Sequence, residues 1–163
     1  AEVREVAPAG AFDAAGLRPL EFATRRDDKP QGGVRFDVAQ GRIFFGNGQS
    51  AAFPAAAQDL LSLFYQLGAV AFDVPQFALT VATGRKVATF AVAIGPQLEI
   101  ETPLGPRPAR HLRITGSARE DATEIWLDAD SRLPLKIRHR DRKGEIFDQI
   151  ATLIELDQPE KNE

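Results

Sequence analysis

The sequence contains no cysteine and no methionine, and it has only two histidines and one tryptophan. Without cysteine there is no disulfide, thiolate nucleophile, iron–sulfur cluster or cysteine-rich zinc site. Without methionine, Ala1 is not a translation start, so we expect a chain that was processed after export or shortened at its beginning. The lack of cysteine also fits an exported protein.

Long apolar runs are absent as well. No stretch approaches the roughly 18 consecutive apolar residues of a transmembrane helix, and the first residues lack the basic and apolar regions of a signal peptide. The net charge of -3 argues against non-specific nucleic-acid binding. Between Arg107 and Lys143, the sequence contains ten Lys and Arg but only six Asp and Glu. This excess indicates either a surface for anionic lipid or glycan, or the solvated edges of paired strands.

Apolar and polar residues alternate with period two along most of the chain, between short turns rich in Gly, Pro and Asp. This pattern predicts a mainly β protein with a curved antiparallel sheet. At 163 residues the chain is long enough for one domain, which we place at residues 1–156, with a polar tail at 157–163. The predicted strands cover residues 20–24, 33–38, 42–45, 77–83, 86–94, 97–101, 109–115, 123–127, 133–140 and 145–156.

Residues 54–68 break the alternation, because their apolar side chains recur at spacings of three and four. We predict one amphipathic helix here, with Pro54 in its first turn and Gly68 closing it in the left-handed conformation. The sheet is the only apolar surface available to this helix. We therefore expect the helix to lie across the concave face, with Leu60, Leu61, Phe64 and Leu67 facing the sheet.

The last strands are predicted in most detail. Glu124, Trp126 and Asp128 should share one face, opposite a face of the next strand that carries Lys136, Arg138 and Arg140. A turn ending at Gly144 would place Ile137 opposite Asp148, and His139 would then lie diagonal to Asp148 on the apolar face. We predict a polar pair of His139 and Asp148, which either has a structural role or takes part in acid–base chemistry.

No catalytic centre can be identified from the residues. The four serines occupy no Gly-x-Ser-x-Gly elbow, and His111 and His139 have no neighbouring ligand at metal-binding spacing. The acidic residues that a glycosidase or a calcium loop would need lack a distinguishing arrangement. We therefore expect no catalytic residues, no metal and no cofactor, and we expect that the protein is not an enzyme.

The many apolar residues predicted to face the space between helix and sheet are a stronger indication of function. Space between the helix and a half-closed sheet would form a ligand pocket, whereas a filled space would be an ordinary core, and the sequence leaves both readings open. The candidate pocket residues are those predicted to face this space: Leu60, Leu61, Phe64, Leu67, Phe90, Val92, Ile100, Leu112 and Ile125.

Six ordered blocks resemble the proteobacterial domain-of-unknown-function family 3108. The first is Gly16-Leu17-Arg18-Pro19, and the others cover residues 55–68, 99–105, 124–128, 133–138 and 144–149. The resemblance implies a periplasmic or envelope protein made with a signal peptide. It also implies a half-barrel similar to that of the periplasmic lipoprotein carriers. Members usually have further strands before the Gly-Leu-Arg-Pro block, so we expect that this chain lacks them.

Together these observations predict an exported β half-barrel that binds a lipid-like or other amphipathic ligand between sheet and helix. Peripheral contact with a membrane fits this interpretation, and nucleic acid does not. The alternative is a non-enzymatic envelope module with a packed interior. Such a module would hold an unidentified protein or a glycan on its sheet edge or its Trp126 face.

Overall fold

A computed structural model describes residues 3–13, 16–26, 29–54, 57–59, 62–116, 122–140 and 143–155. These residues form one helix and twelve strands. The helix is α1 (Ser62–Ala69), and the strands are β1 (Val3–Asp13), β2 (Gly16–Arg26), β3 (Lys29–Asp37), β4 (Arg42–Phe45), β5 (Ser50–Ala52), β6 (Gln58–Asp59), β7 (Gln76–Ala82), β8 (Val87–Thr102), β9 (Gly105–Thr115), β10 (Ala122–Asp128), β11 (Pro134–Arg140) and β12 (Ile146–Ile150).

The strands form two sheets. The first has the order β1-β2-β3-β4-β5, and the second has the order β12-β11-β10-β9-β8-β7-β6. Neighbouring strands are antiparallel except for β6 and β7, which are parallel. The fold is therefore mainly β with one helix and forms a half-barrel, as the sequence predicts, and the predicted antiparallel pairing holds except for β6 and β7.

Several strands match their predicted positions closely. β4 has the predicted bounds. In the β10–β11 pair, Glu124 lies opposite Arg138 and Trp126 opposite Lys136, as expected from the alternation of the two strands. The short or alanine-rich strands β1, β5 and β6 were not predicted. The predicted polar tail at 157–163 lies outside the described residues.

The Gly95-Pro96 pair does not end a strand. The sequence predicts separate strands on either side of it, whereas β8 continues through it with a register shift between Ile94 and Gln97. A Cβ on Gly95 would lie 3.0 Å from His111 Nδ1 and 3.2 Å from the His111 carbonyl oxygen. Glycine therefore allows β8 and β9 to approach closely at this bulge.

The helix is shorter than predicted and starts later. Gln58 and Asp59 are extended and pair with Val81 and Ala82 of β7. The Asp59 carboxylate accepts hydrogen bonds from the Ser62 N–H at 2.9 Å and the Ser62 hydroxyl at 2.7 Å. Asp59 thus has the position of an N-cap residue, which marks a helix start rather than a helix interior.

Gly68 also differs from its predicted role, because α1 continues to Ala69 and Gly68 does not adopt a positive φ. Gly68 is important because the structure leaves no room for a side chain there. A Cβ at this position would lie 2.9 Å from the carbonyl oxygen of Arg132. Glycine at position 68 therefore allows the helix to approach the β10–β11 turn this closely.

The apolar residues form two clusters. The main cluster joins α1 to β7, β8, β9 and β10, and consists of Leu63, Leu67, Leu79, Val81, Val92, Leu112, Ile114, Ile125 and Leu127. The second cluster lies at the junction of the two sheets and consists of Val34, Phe36, Ile43, Phe45, Ala57 and Ala82. No helix among the described residues is long and apolar enough to cross a bilayer.

Candidate functional site

A cavity of about 510 Å³ lies between α1 and the turn that connects β10 to β11. We call it the turn cavity. Its wall is largely apolar, and Arg132 is the one charged residue among the described residues that line it. The lining residues are Phe64, Tyr65, Gly68 and Ala69 from the helix, and Ser131, Arg132, Leu133 and Pro134 from the turn and the start of β11.

Asp128 holds the turn side of this cavity in place. Its Oδ1 accepts hydrogen bonds from the Asp130 N–H at 3.0 Å, the Ser131 N–H at 2.8 Å and the Ser131 hydroxyl at 3.2 Å. Its Oδ2 accepts bonds from Arg107 Nε at 2.9 Å and Nη2 at 2.7 Å. The carboxylate is buried and fully bonded, so the turn has a fixed shape.

The same contacts set the protonation state of Asp128. Burial raises the pKa of its carboxyl, but the hydrogen bonds from the Ser131 N–H, the Arg107 guanidinium and the Asp130 N–H outweigh burial. The resulting pKa lies below the ordinary value for aspartate, since these donors favour the charged form. The turn is therefore organised around an ionised carboxylate at neutral pH.

Arg132 has an unusual backbone conformation in this turn. Its φ is +62°, in the left-handed region, and it is the one non-glycine residue with positive φ in the described part of the chain. Its N–H donates to the Asp128 carbonyl oxygen at 3.1 Å. Its guanidinium lies over the Phe72 ring, 4.3 Å from the centroid, and its Nη1 is buried without a hydrogen-bond partner.

The face of the seven-stranded sheet that points away from the main cluster carries a row of paired polar side chains. We call it the outer face. His111 stacks on Trp126 with the ring centroids 4.9 Å apart, and Lys136 Nζ lies 5.3 Å from the Trp126 centroid. Beside them, Arg138 donates to both oxygens of Asp148 at 2.7 Å, and Lys136 Nζ lies 3.2 Å from Asp148 Oδ2.

These contacts lower the pKa of Asp148 well below its ordinary range, chiefly through the hydrogen bond from Arg138 and with a further contribution from Lys136. The same hydrogen bond raises the pKa of Arg138. With its rings and charges paired across strands, the outer face has the features of a solvated cross-strand ladder. Among the described residues, no group of three or more His, Asp or Glu could hold a metal ion.

The sequence matches one known protein family. A family model with the description "Protein of unknown function (DUF3108)" matches residues 3–150. The chain belongs to this family. No curated protein and no solved structure is significantly similar to the chain. Membership agrees with the resemblance drawn from the sequence blocks, and the description of the family assigns it no function.

The structure places the candidate pocket residues in three settings. Leu67, Val92, Leu112 and Ile125 are completely buried and pack against one another in the main cluster. Phe64 and Phe90 are half-buried and pack at the edge of that cluster, and Phe64 also lines the turn cavity. Their contact with a ligand stays a prediction.

One further candidate, Ile100, does not join this group. Ile100 lies opposite Arg107 on the outer face, because the bulge at Gly95-Pro96 shifts the alternation of β8. Leu60 and Leu61 lie outside the described residues.

The predicted pair of His139 and Asp148 is not brought together, because the predicted β11–β12 register is wrong by one residue. Arg138 lies opposite Asp148 and His139 opposite Phe147. A shift of one residue moves a side chain to the other face of the sheet. Asp148 therefore pairs with Arg138 on the outer face, whereas His139 Nδ1 lies 3.1 Å from the Thr123 hydroxyl on the opposite face.

Sequence reasoning missed the turn side of the cavity. Ser131 and Arg132 lie between two predicted strands and carry no motif, and the left-handed conformation of an arginine has no sequence signal. A signal did exist for Asp128, because an aspartate followed by polar residues in a tight turn often accepts hydrogen bonds from the next backbone N–H groups.

Proposed function

We propose that the protein binds a lipid-like, amphipathic molecule in the turn cavity and performs no catalysis. The observation that carries this proposal is the cavity itself. Its volume of about 510 Å³ falls within the range of roughly 300–1,000 Å³ that is typical of small-molecule pockets. Its described lining is mostly apolar and includes one cationic residue, Arg132, a combination that suits an apolar chain with a polar end.

The cavity is separate from the packed interior, which narrows where the ligand would lie. Leu67, Leu112 and Ile125 have no exposed surface and fill the space between helix and sheet. A ligand would therefore occupy the far side of α1, where Phe64, Gly68 and Ala69 face the β10–β11 turn. Binding there requires no opening of the main cluster.

An exported protein of the periplasm or envelope fits this proposal. The absence of cysteine supports it, and so does the sequence resemblance, which implies a periplasmic or envelope protein. Fractionation of the source cells, followed by immunodetection of the protein in periplasmic and membrane fractions, tests the location.

The test of binding uses a variant that fills the turn cavity. Ala69 is exposed and lines the cavity, whereas Ala71 is exposed and lies outside the lining set, so Ala69→Trp and Ala71→Trp form a matched pair. Titration with decanol below its solubility limit should show saturable binding to the wild type and to Ala71→Trp. Ala69→Trp should lose about tenfold or more in affinity, because the indole occupies the space of the chain.

Native mass spectra of the purified proteins provide a second readout. Alkyl-chain adducts on the wild type that are lost in Ala69→Trp support the proposal. The proposal is excluded if the wild type binds neither decanol nor decanoate. It is also excluded if the two tryptophan variants bind these ligands equally.

A specific observation also favours the second candidate, an interaction module. β12 is an edge strand whose apolar residues remain exposed: Ile146 by 49%, Phe147 by 54% and Ile150 by 41%, with Leu153 just beyond the strand at 68%. Such an edge can accept a further strand from a partner protein. If alkyl ligands do not bind, a loss of partner capture in Ile150→Lys but not in the exposed outer-face variant Arg113→Gln would support this function.

A further inference from the structure

The backbone of Arg132 is more strained than that of an ordinary arginine. A φ of +62° brings Cβ close to the backbone, which glycine and asparagine tolerate better than arginine. The Asp128 carbonyl, which accepts the Arg132 N–H, and the close approach of Gly68 to the Arg132 carbonyl oxygen hold this conformation in place. A non-glycine residue held in such a conformation points to a role for its side chain.

The side chain has bonding capacity that the described residues do not use. Nη1 of Arg132 is buried and has no hydrogen-bond partner. Because Nη1 has almost no exposed surface, an incoming oxygen atom would meet the remaining N–H groups of the guanidinium. Arginine is also well suited to hold a carboxylate, because its planar group presents parallel N–H donors.

The surrounding charge favours an anion. The guanidinium of Arg110 lies over the same Phe72 ring as that of Arg132, 5.8 Å from the centroid, and Arg110 donates to the Gly95 carbonyl oxygen at 3.2 Å. No acidic residue is among the described residues that line the turn cavity. A negatively charged group at Arg132 would thus meet no acidic side chain among the described lining residues, and Arg110 adds a second positive charge at the Phe72 ring.

We infer that the ligand of the turn cavity is a single-chain fatty acid whose carboxylate is held by Arg132. This inference rests on the proposed function and specifies its ligand. The apolar wall formed by Phe64, Ala69 and Leu133 accommodates the alkyl chain. The guanidinium supplies charge-assisted hydrogen bonds to the head group, so binding depends on the charge of that group as well as on the chain.

The test compares decanoate with decanol, which differ at the head group, by calorimetric titration below the micelle concentration. The wild type should bind decanoate at least about tenfold more tightly than decanol. Arg132→Gly removes the guanidinium and suits a positive φ, so its unfolding midpoint should change little. Its affinity for decanoate should fall about ten- to hundredfold, with its affinity for decanol unchanged.

Three further variants sharpen the comparison. Arg132→Lys keeps the charge and should retain part of the preference for decanoate. Arg113→Gln removes one positive charge from the outer face and should bind both ligands as the wild type does. Should Arg132→Gly fail to fold, Arg132→Asn makes the same comparison, because asparagine tolerates the left-handed region.

Equal affinity of the wild type for decanoate and decanol would overturn the inference while leaving the proposed function in place. An equal loss of both ligands in a folded Arg132→Gly would do the same, since it would show that Arg132 acts through the shape of the cavity. If neither ligand binds the wild type, the proposed function itself fails, and this inference fails with it.

Discussion

Asp128 links β9, the β10–β11 turn and the turn cavity through one carboxylate. Its burial is tolerated because Arg107, two backbone N–H groups and a hydroxyl bond it. Arg107 is 38% exposed, so the ion pair is open to solvent on one side and contributes less than a sealed pair. Most of the value of Asp128 therefore lies in the turn it shapes, including the conformation of Arg132.

Replacing Asp128 by asparagine should destabilise the protein by about 2–4 kcal/mol at pH 7, because the amide cannot replace the charged acceptor for all five donated bonds. The pKa of Asp128 is lowered in the folded state, so its contribution is present above the unfolded pKa of about 3.9. That contribution is lost as the pH falls through the folded pKa.

Thermal melts of wild type and Asp128→Asn between pH 7 and pH 3 check this expectation. The difference in Tm should be constant near neutral pH and should narrow in acid. Asp73→Asn, at an exposed position outside the turn, should melt close to the wild type at neutral pH. A Tm difference for Asp128→Asn that stays the same down to pH 3 would contradict the role given to the ionised carboxylate.

At the scale of the element, α1 serves two surfaces with only eight residues. A helix of this length is not stable alone, so its stability must come from the Asp59 cap and from packing. Leu63 and Leu67 pack into the main cluster on one side, whereas Phe64 and Ala69 line the turn cavity on the other.

This division predicts different costs for two truncations on the same helix. Leu67→Ala should lower the free energy of unfolding by about 2–5 kcal/mol, because Leu67 is completely buried and its loss leaves a cavity. Phe64→Ala should cost only about 1–2 kcal/mol, because Phe64 is half-buried beside a space that already exists. Urea unfolding of both variants measures the difference. Equal costs would mean that Phe64 belongs to the core.

The elements that could be predicted from the sequence are those whose structure depends on nearby residues. β4 and the β10–β11 pairing follow from alternation alone, which explains why their bounds or faces were correct. The β11–β12 register depends on the number of loop residues, and one additional residue moved Asp148 away from His139. Periodicity also could not distinguish a helix interior from the Asp59 cap.

The site was harder to predict than the fold for a related reason. Its candidate core residues were identified by hydrophobicity, and Leu67, Leu112 and Ile125 do share one cluster. The turn cavity depends instead on the backbone angle of Arg132 and on the contact of Gly68 with a turn distant in sequence. Neither leaves a periodic pattern, since both arise from tertiary packing.

At the scale of the whole molecule, the two apolar clusters meet at the end of β7. Val81 belongs to the main cluster, and its neighbour Ala82 belongs to the second cluster with Ile43 and Phe45 of the other sheet. Because consecutive residues of one strand belong to both clusters, neither cluster can be lost without disturbing the other. We therefore expect the chain to unfold as one cooperative unit.

Ile43→Ala tests this cooperativity, because Ile43 is completely buried in the second cluster, far along the chain from the sole tryptophan. The substitution should cost about 2–5 kcal/mol. Trp126 lies in β10 of the other sheet, so its fluorescence follows that sheet, while far-UV circular dichroism follows all strands. Both signals should shift to the same lower urea midpoint, as they should in Ile125→Ala in the main cluster. The opposite result would be a circular dichroism transition in two steps, with the Trp126 fluorescence transition at its wild-type midpoint. Such a result would show that the two sheets unfold independently.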